Sequence, residues 1–309
     1  MPISDLVLGV DGGGSHVVCI IAEAATGREV GRGEAGPANL QAVGVENALR
    51  ELDLAVQRAF DSANLPRSPV ASACLGLAGV DWQNGLDVIH LWSKRVSLCN
   101  RIAVANDATL LLAAGTSEGW GLAVVCGTGS IAFVRTPDGI EGRAGGWGYL
   151  LGDEGSAFQI TLSALRLACR SADGCLEPTV LVERFVKRMD VTTPAAIIDA
   201  VYRGEWDRAA LASLAPMVLD AAENGDALAK QVVDRQASEL ALTAVTPVLR
   251  HNLPRTHLPV ALTGGLLLHN AAYRQSFLDA MAQRGIVPGA VQLVEEPALG
   301  AIAIARRAL

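Results

Sequence analysis

No stretch of this 309-residue chain approaches the roughly 18 uninterrupted apolar residues of a membrane-crossing helix. The opening Met1-Pro2-Ile3-Ser4-Asp5 carries no basic segment ahead of a long apolar core, so no secretory leader is expected. The six cysteines, at 19, 74, 99, 126, 169 and 175, form no Cys-x-x-Cys pair and no Cys/His cluster with zinc spacing. Reduced and mostly buried thiols, and with them a soluble cytoplasmic protein, are the expectation. No run of lysine and arginine exceeds two residues, and the net charge is -7, which argues against the clustered basic surface that nucleic acid requires. Gly-x-x-x-x-Gly-Lys-Ser/Thr is absent, which removes the P-loop. Gly31-x-Gly33-x-x-Gly36 matches a dinucleotide fingerprint by letter, but Pro37 follows it in a loop where a helix would be needed. What remains is a chain half hydrophobic, ample for a buried core and long enough to favour two domains of about 150 residues each.

The organising stretch is Leu6 to Ile20, where apolar strand formers flank Gly12, Gly13, Gly14 and Ser15. Two antiparallel strands joined by a tight turn are predicted, and the turn has more glycine than a hairpin needs. Backbone N-H groups left uncovered by side chains can ring an anionic group such as a phosphate. Asp11, at the end of the first strand, stands where a carboxylate holds Mg²⁺ through water. The pattern recurs over Leu122 to Val134, with Gly127, Thr128, Gly129 and Ser130 in the turn. Both copies continue alike, through Thr26-Gly27 and Gly31-Arg32 in the first and Asp138-Gly139 and Gly142-Arg143 in the second. Two copies of one three-stranded meander imply two similar domains facing each other across a cleft, a natural place for a polyphosphate.

Between the copies, Pro37 to Gln41 reads as a loop and Val43 to Phe60 as an amphipathic helix with Val45, Leu49, Leu52 and Val56 on one face. Val70 to Leu77 reads as a buried strand, about Trp82 to Val96 as a helix, and Ile102 to Ala105 as a short strand. Strands and helices alternating at this spacing predict an α/β fold with ligands beyond the strand ends. Asn106-Asp107 follows directly and opens a helix, Ala108 to Ala114. A polar pair at such a junction is also what an N-cap looks like, worth roughly 1 kcal/mol, and both interpretations stand at this point. Gly145 to Ser156 packs five glycines, Trp147, Tyr149 and the acid pair Asp153-Glu154 into twelve residues, which makes neither a helix nor a strand. A structured binding loop is predicted, with Trp147 against an apolar ligand face and the acids accepting hydrogen bonds from hydroxyls. The acids would equally favour the N-terminal dipole of the helix that begins near Ser156. Ser156 to Arg250 is almost wholly helical; Leu258 to Leu262 is a strand running into Thr263-Gly264-Gly265; Leu266 to Met281 is helical; Val291 to Val294 is a short strand and Ala298 to Ala308 a helix. The expected domains are 1-114 with 296-309, and 115-295 with a helical insert.

On Asp11 to Ser15, Asn39, Asn106-Asp107, Cys126 to Ser130, Gly145 to Ser156 and Thr263 to Gly265, the chain resembles the sugar-kinase, heat-shock and actin ATPase superfamily. Within it, the chain is similar to the N-acetylglucosamine kinase and BadF/BadG/BcrA/BcrD ATPase family. The resemblance implies two ribonuclease-H-like domains with an interdomain cleft, ATP and Mg²⁺ as cofactors, and a small amino sugar as substrate. It would give Asp11 the Mg²⁺, and Gly12, Gly13, Gly14, Ser15, His16, Gly127, Thr128, Gly129 and Ser130 the phosphates. Gly264 and Gly265 would border the adenosine. Asn39, Asp107, Gly146, Trp147 and Asp153 would bind the sugar, with Asp107 the base that takes the proton from the 6-hydroxyl. Leu40-Gln41 stands where the animal enzymes carry an aromatic residue, which keeps glucosamine beside N-acetylglucosamine as a candidate. The same family includes ATPases that activate dehydratases without a sugar, and these need an iron-sulfur cluster bridged by paired cysteines. Cys126 and Cys74 have no suitably spaced partners for that. Neither the hexose nor the oligomeric state is fixed by these motifs, and a homodimer stays open.

Overall fold

The computed structural model describes residues 5–13, 16–77, 80, 84–204 and 206–309, with Asp107 described by its backbone alone. The chain divides into two units, Met1–Trp120 with Val294–Leu309, and Gly121–Leu293. The first unit holds a five-stranded sheet of β1 (Leu6–Gly12), β2 (Val17–Glu23), β3 (Glu29–Ala35), β4 (Val70–Leu77) and β5 (Cys99–Ala105). The second holds another, of β6 (Gly121–Cys126), β7 (Ser130–Arg135), β8 (Glu141–Gly145), β9 (Thr256–Thr263) and β10 (Val287–Leu293). In space the orders are β3-β2-β1-β4-β5 and β8-β7-β6-β9-β10, one path followed twice. The first three strands of each sheet are antiparallel, because short turns join them. The last two run parallel to the first, because helices intervene.

Strand β1 shows why its sequence is a near-continuous apolar run. Leu6, Leu8 and Val10 face one core, and Val7 faces a second one on the opposite side of the sheet. Helix Val45–Ser62 fills the first core with Leu52, Val56 and Phe60. Ala298, Ala301, Ile302 and Ala305 of the last helix, Ala298–Arg307, fill the second. The glycines of β3 that spell a dinucleotide fingerprint serve packing: a Cβ on Gly33 would overlap the carbonyl oxygen of Ala55 on helix Val45–Ser62.

Several boundaries differ from expectation for local reasons. The loop after Pro37 ends at Asn39, whose side chain caps a short helix, Leu40–Val43. Gly44, at φ +79°, then separates that helix from Val45–Ser62. The helix expected over Leu266 to Met281 is two, Gly265–His269 and Ala271–Gln283, divided at Asn270, which caps the second. Strands β5 and β10 begin earlier than their apolar cores. Among the described residues no helix is long and apolar enough to cross a membrane.

The insert between β8 and β9 is helical and ends in the long helix Ala227–Arg250, whose buried face is Val232, Gln236, Leu240, Ala244 and Val248. Asp226 caps it: Ala229 N donates to one carboxylate oxygen at 2.9 Å, and Thr179 Oγ1 (2.7 Å) and Val180 N (2.9 Å) donate to the other. Burial pushes the Asp226 pKa up, but these donors outweigh it and hold the carboxyl below the ordinary carboxylate range. Asp226→Ala is expected to cost roughly 1–2 kcal/mol in denaturant unfolding at pH 7. A folded-state pKa below the unfolded value of about 3.9 means this stabilisation is complete above that pH and lost as pH falls through the folded value. The gap between wild type and variant should therefore narrow at acid pH.

Candidate active site

In the first unit, strand register brings the carboxyl ends of three strands level. Asp11 on β1 lies beside Gly76 on β4, and Gly76 beside Ala105 on β5, so Asn106 and Asp107 follow at the same edge of the sheet. Asn106 caps helix Asp107–Gly115, accepting from Ala108 N at 2.9 Å. Asp107, the helix's first residue, therefore has its backbone at that edge; its side chain lies outside the described residues. Asp11 is half-buried at the mouth of the turn, a hard oxygen donor of the kind Mg²⁺ takes together with water and phosphate. Gly12 closes β1, and Gly13 N donates to the exposed His16 across the turn at 3.0 Å, at its carbonyl oxygen. Gly14 and Ser15 lie outside the described residues. The carbonyl of Gly13 accepts from Ala38 N at 3.2 Å, which ties the segment holding Asn39 to the turn. The Asn39 side-chain oxygen is engaged by Gln41 N and Ala42 N at 3.0 and 3.1 Å.

In the second unit, the turn between β6 and β7 is closed by Gly127 N donating to Gly129 O at 2.9 Å. Gly127 O accepts from Ala157 N, the first residue of helix Ala157–Ala172, at 2.9 Å. A helix N-terminus against a glycine turn favours an anion there. Ser130 ties this turn to the loop 145–156: its hydroxyl donates to Glu154 O at 2.7 Å, and its carbonyl accepts from Gly146 N at 3.2 Å. The Ser130 N-H donates to Asp153 Oδ1 at 3.2 Å.

Asp153 is 4% exposed, sits at φ +63°, and pairs through Oδ2 with Arg208 at 2.8 Å. The side chain expected to reach outward to hydroxyls is thus turned inward onto the glycine turn, with two of its roughly four acceptor positions in use. Trp147, by contrast, is 65% exposed, with the Arg143 guanidinium carbon 5.3 Å from its ring centroid.

The loop is fixed from below at Gly155. Its N-H donates to Gln236 Oε1 at 2.9 Å, and its carbonyl accepts from Tyr273 OH at 2.6 Å and Cys126 Sγ at 3.4 Å. Burial, then the Asp153 charge, pushes the Cys126 thiol up, and burial, then Cys126, pushes the Tyr273 phenol up, so both remain protonated donors. Neither Arg208 nor the Gln236 and Tyr273 contacts were legible in the sequence, since each partner lies at least 55 positions away with no motif around it.

Gly264 follows β9 at φ +90°, pressed so close to β6 that a Cβ would overlap the carbonyl of Cys126. A cavity of about 490 Å³ opens between Gly127-Thr128, Gly265 with His269, and Ala209, Ala212 and Pro216 of the insert. Apolar walls beside two glycine turns suit a planar ring with a polar tail. The insert walls read in the sequence only as part of the almost wholly helical stretch Ser156 to Arg250. A larger, open groove of about 1030 Å³, between helices Ala157–Ala172 and Ala227–Arg250, carries neither glycine turn.

A model of the BadF/BadG/BcrA/BcrD ATPase family matches residues 8–305. The chain is 29% identical over 308 residues to a Clostridium acetobutylicum protein named N-acetylmuramic acid/N-acetylglucosamine kinase, covering 97% of this chain and 98% of that one. It is 26% identical over 274 residues to an N-acetyl-D-glucosamine kinase of Dictyostelium discoideum, covering 84% and 85%. A solved structure from Chromobacterium violaceum, provisionally named an N-acetylglucosamine kinase, superposes with a TM-score of 0.73 at 27% identity, over 97% of this chain and 99% of that one.

Tyr273→Phe removes a buried donor from Gly155 O while keeping the ring, and is expected to cost about 1 kcal/mol. Thermal unfolding should show a fall in Tm of about 2–4 °C, against none for Tyr202→Phe at an exposed position.

Proposed function

The chain belongs to the BadF/BadG/BcrA/BcrD ATPase family, and from that premise we propose that it is an ATP-dependent amino-sugar kinase, moving the γ-phosphoryl group to the 6-hydroxyl of N-acetylglucosamine or glucosamine. The observation that carries this is the Ser130–Asp153 hydrogen bond, which fastens a phosphate-type glycine turn to a loop presenting an exposed tryptophan. Donor and acceptor features are thereby built into one piece of the second unit. Two curated relatives that span most of this chain are named for phosphorylation of N-acetylglucosamine, and one of them also for N-acetylmuramic acid. Those names favour a sugar kinase over a sugar-independent ATPase.

In this proposal the phosphate-binding residues are Gly127, Thr128, Gly129 and Ser130 of the second unit and Gly12, Gly13, Gly14, Ser15 and His16 of the first. Gly264 and Gly265, with the cavity beside them, take the adenosine. Asp11 is the donor for Mg²⁺, which when bound offsets charge on the transferring group. Asn39, Asp107, Gly146 and Trp147 bind the sugar, the tryptophan lying against an apolar ring face, while Asp153, buried against Ser130 and Arg208, positions the loop that carries the tryptophan.

Asp107 accepts the proton of the 6-hydroxyl. A carboxylate of pKa about 4 is a weak base for an alcohol. In a loose phosphoryl-transfer transition state, however, the proton leaves late, so the placement of the carboxylate matters more than its basicity.

Asp107→Asn should keep the wild-type circular dichroism and Tm while turnover falls on the order of 10²- to 10⁴-fold. Turnover within a few-fold of wild type would remove the base assignment.

A further inference from the structure

Two arginines stand around the loop that carries Trp147, Arg208 and Arg143, and they are not equivalent. Arg208 is committed to Asp153 at 2.8 Å. Arg143, on β8, is exposed, and among the described residues its side chain has neither an ion pair nor a hydrogen bond. It is nevertheless not a freely waving surface cation. Its guanidinium carbon lies 5.3 Å from the Trp147 ring centroid, within cation–π range, and Nη1 comes within 3.3 Å of the point where a Cβ on Gly146 would stand. A Cβ on Gly148 would meet nothing within 4 Å, so space stays open next to the pair.

A guanidinium held by an aromatic ring loses little further freedom on pairing, and its planar fork matches a carboxylate. An uncharged sugar lying against Trp147 gives that fork no charge to meet.

We propose that Arg143 is the specificity-determining residue for an anionic substituent on the amino sugar, pairing with a ring-borne carboxylate of the kind N-acetylmuramic acid carries on its 3-O-lactyl ether. This rests on the amino-sugar kinase assignment and adds to it the residue that would read the charge. The carboxylate belongs to the lactyl group on O3, away from the 6-hydroxyl, so Arg143 acts on binding and leaves the phosphoryl transfer itself to other groups.

The test is kcat/KM for N-acetylmuramic acid, for its uncharged lactyl carboxamide and for N-acetylglucosamine, in wild type, Arg143→Gln and Arg143→Lys. Wild type should favour the acid over the amide by roughly tenfold, mainly through KM, as a charge-assisted pair at a partly solvated site allows. Arg143→Gln should abolish that preference, and Arg143→Lys should retain part of it. If Arg143 only props Trp147, Arg143→Gln will lower all three substrates together and keep the acid-to-amide ratio, which overturns the proposal. A wild-type enzyme that phosphorylates N-acetylglucosamine without preferring acid to amide also overturns it. No turnover of any sugar would sink the kinase assignment as well, and inactivity on N-acetylglucosamine marks that failure apart from the other two.

Discussion

A buried carboxylate dictates the shape of the second unit's chemistry. Asp153 is almost wholly withdrawn from water, and a charge so placed must be paired or it costs several kcal/mol. It is paired twice, to a backbone N-H of the glycine turn and to Arg208 of the helical insert. Three otherwise separate pieces, turn, loop and insert, are therefore registered on one side chain. Gly155, two residues on, is gripped by Gln236, Tyr273 and Cys126, so the loop is held from two sides and Trp147 stands out from a rigid base.

The duplicated topology explains why a turn of this type exists in each unit. A hairpin from the first strand of either sheet leaves at the edge where the parallel strands β4 and β5, or β9 and β10, present their carboxyl ends. Asp11, Asn106 and Asp107 share that edge in the first unit. Cys126 and Thr263-Gly264 share it in the second, where Val125 is level with Thr263. Open α/β sheets bind ligands at such edges because N-H groups of turns and of following helices collect there.

Legibility in the sequence followed the range of each interaction. Glycine turns flanked by apolar runs, the repeat of the meander and the N-terminal helix caps are local, and the two sheets with their matching strand order follow from them. The inward turn of Asp153 depends on Arg208, 55 residues on, and on a positive φ that the neighbouring glycines mask. The Gly155 clamp reaches 118 residues to Tyr273, and the cavity walls are alanines with no signature of their own. Gly33 matched a fingerprint by letter that Pro37 already excluded, and its reason is contact with a helix backbone rather than with a ligand.

Assignment as an amino-sugar kinase turns on coupling between nucleotide and acceptor, and ADP release read across acceptors measures that coupling directly. With ATP and Mg²⁺ supplied, release is predicted to be fast with N-acetylglucosamine or glucosamine, slower with glucose and N-acetylmannosamine, and close to background with no sugar. Release at one rate in all five conditions would contradict it.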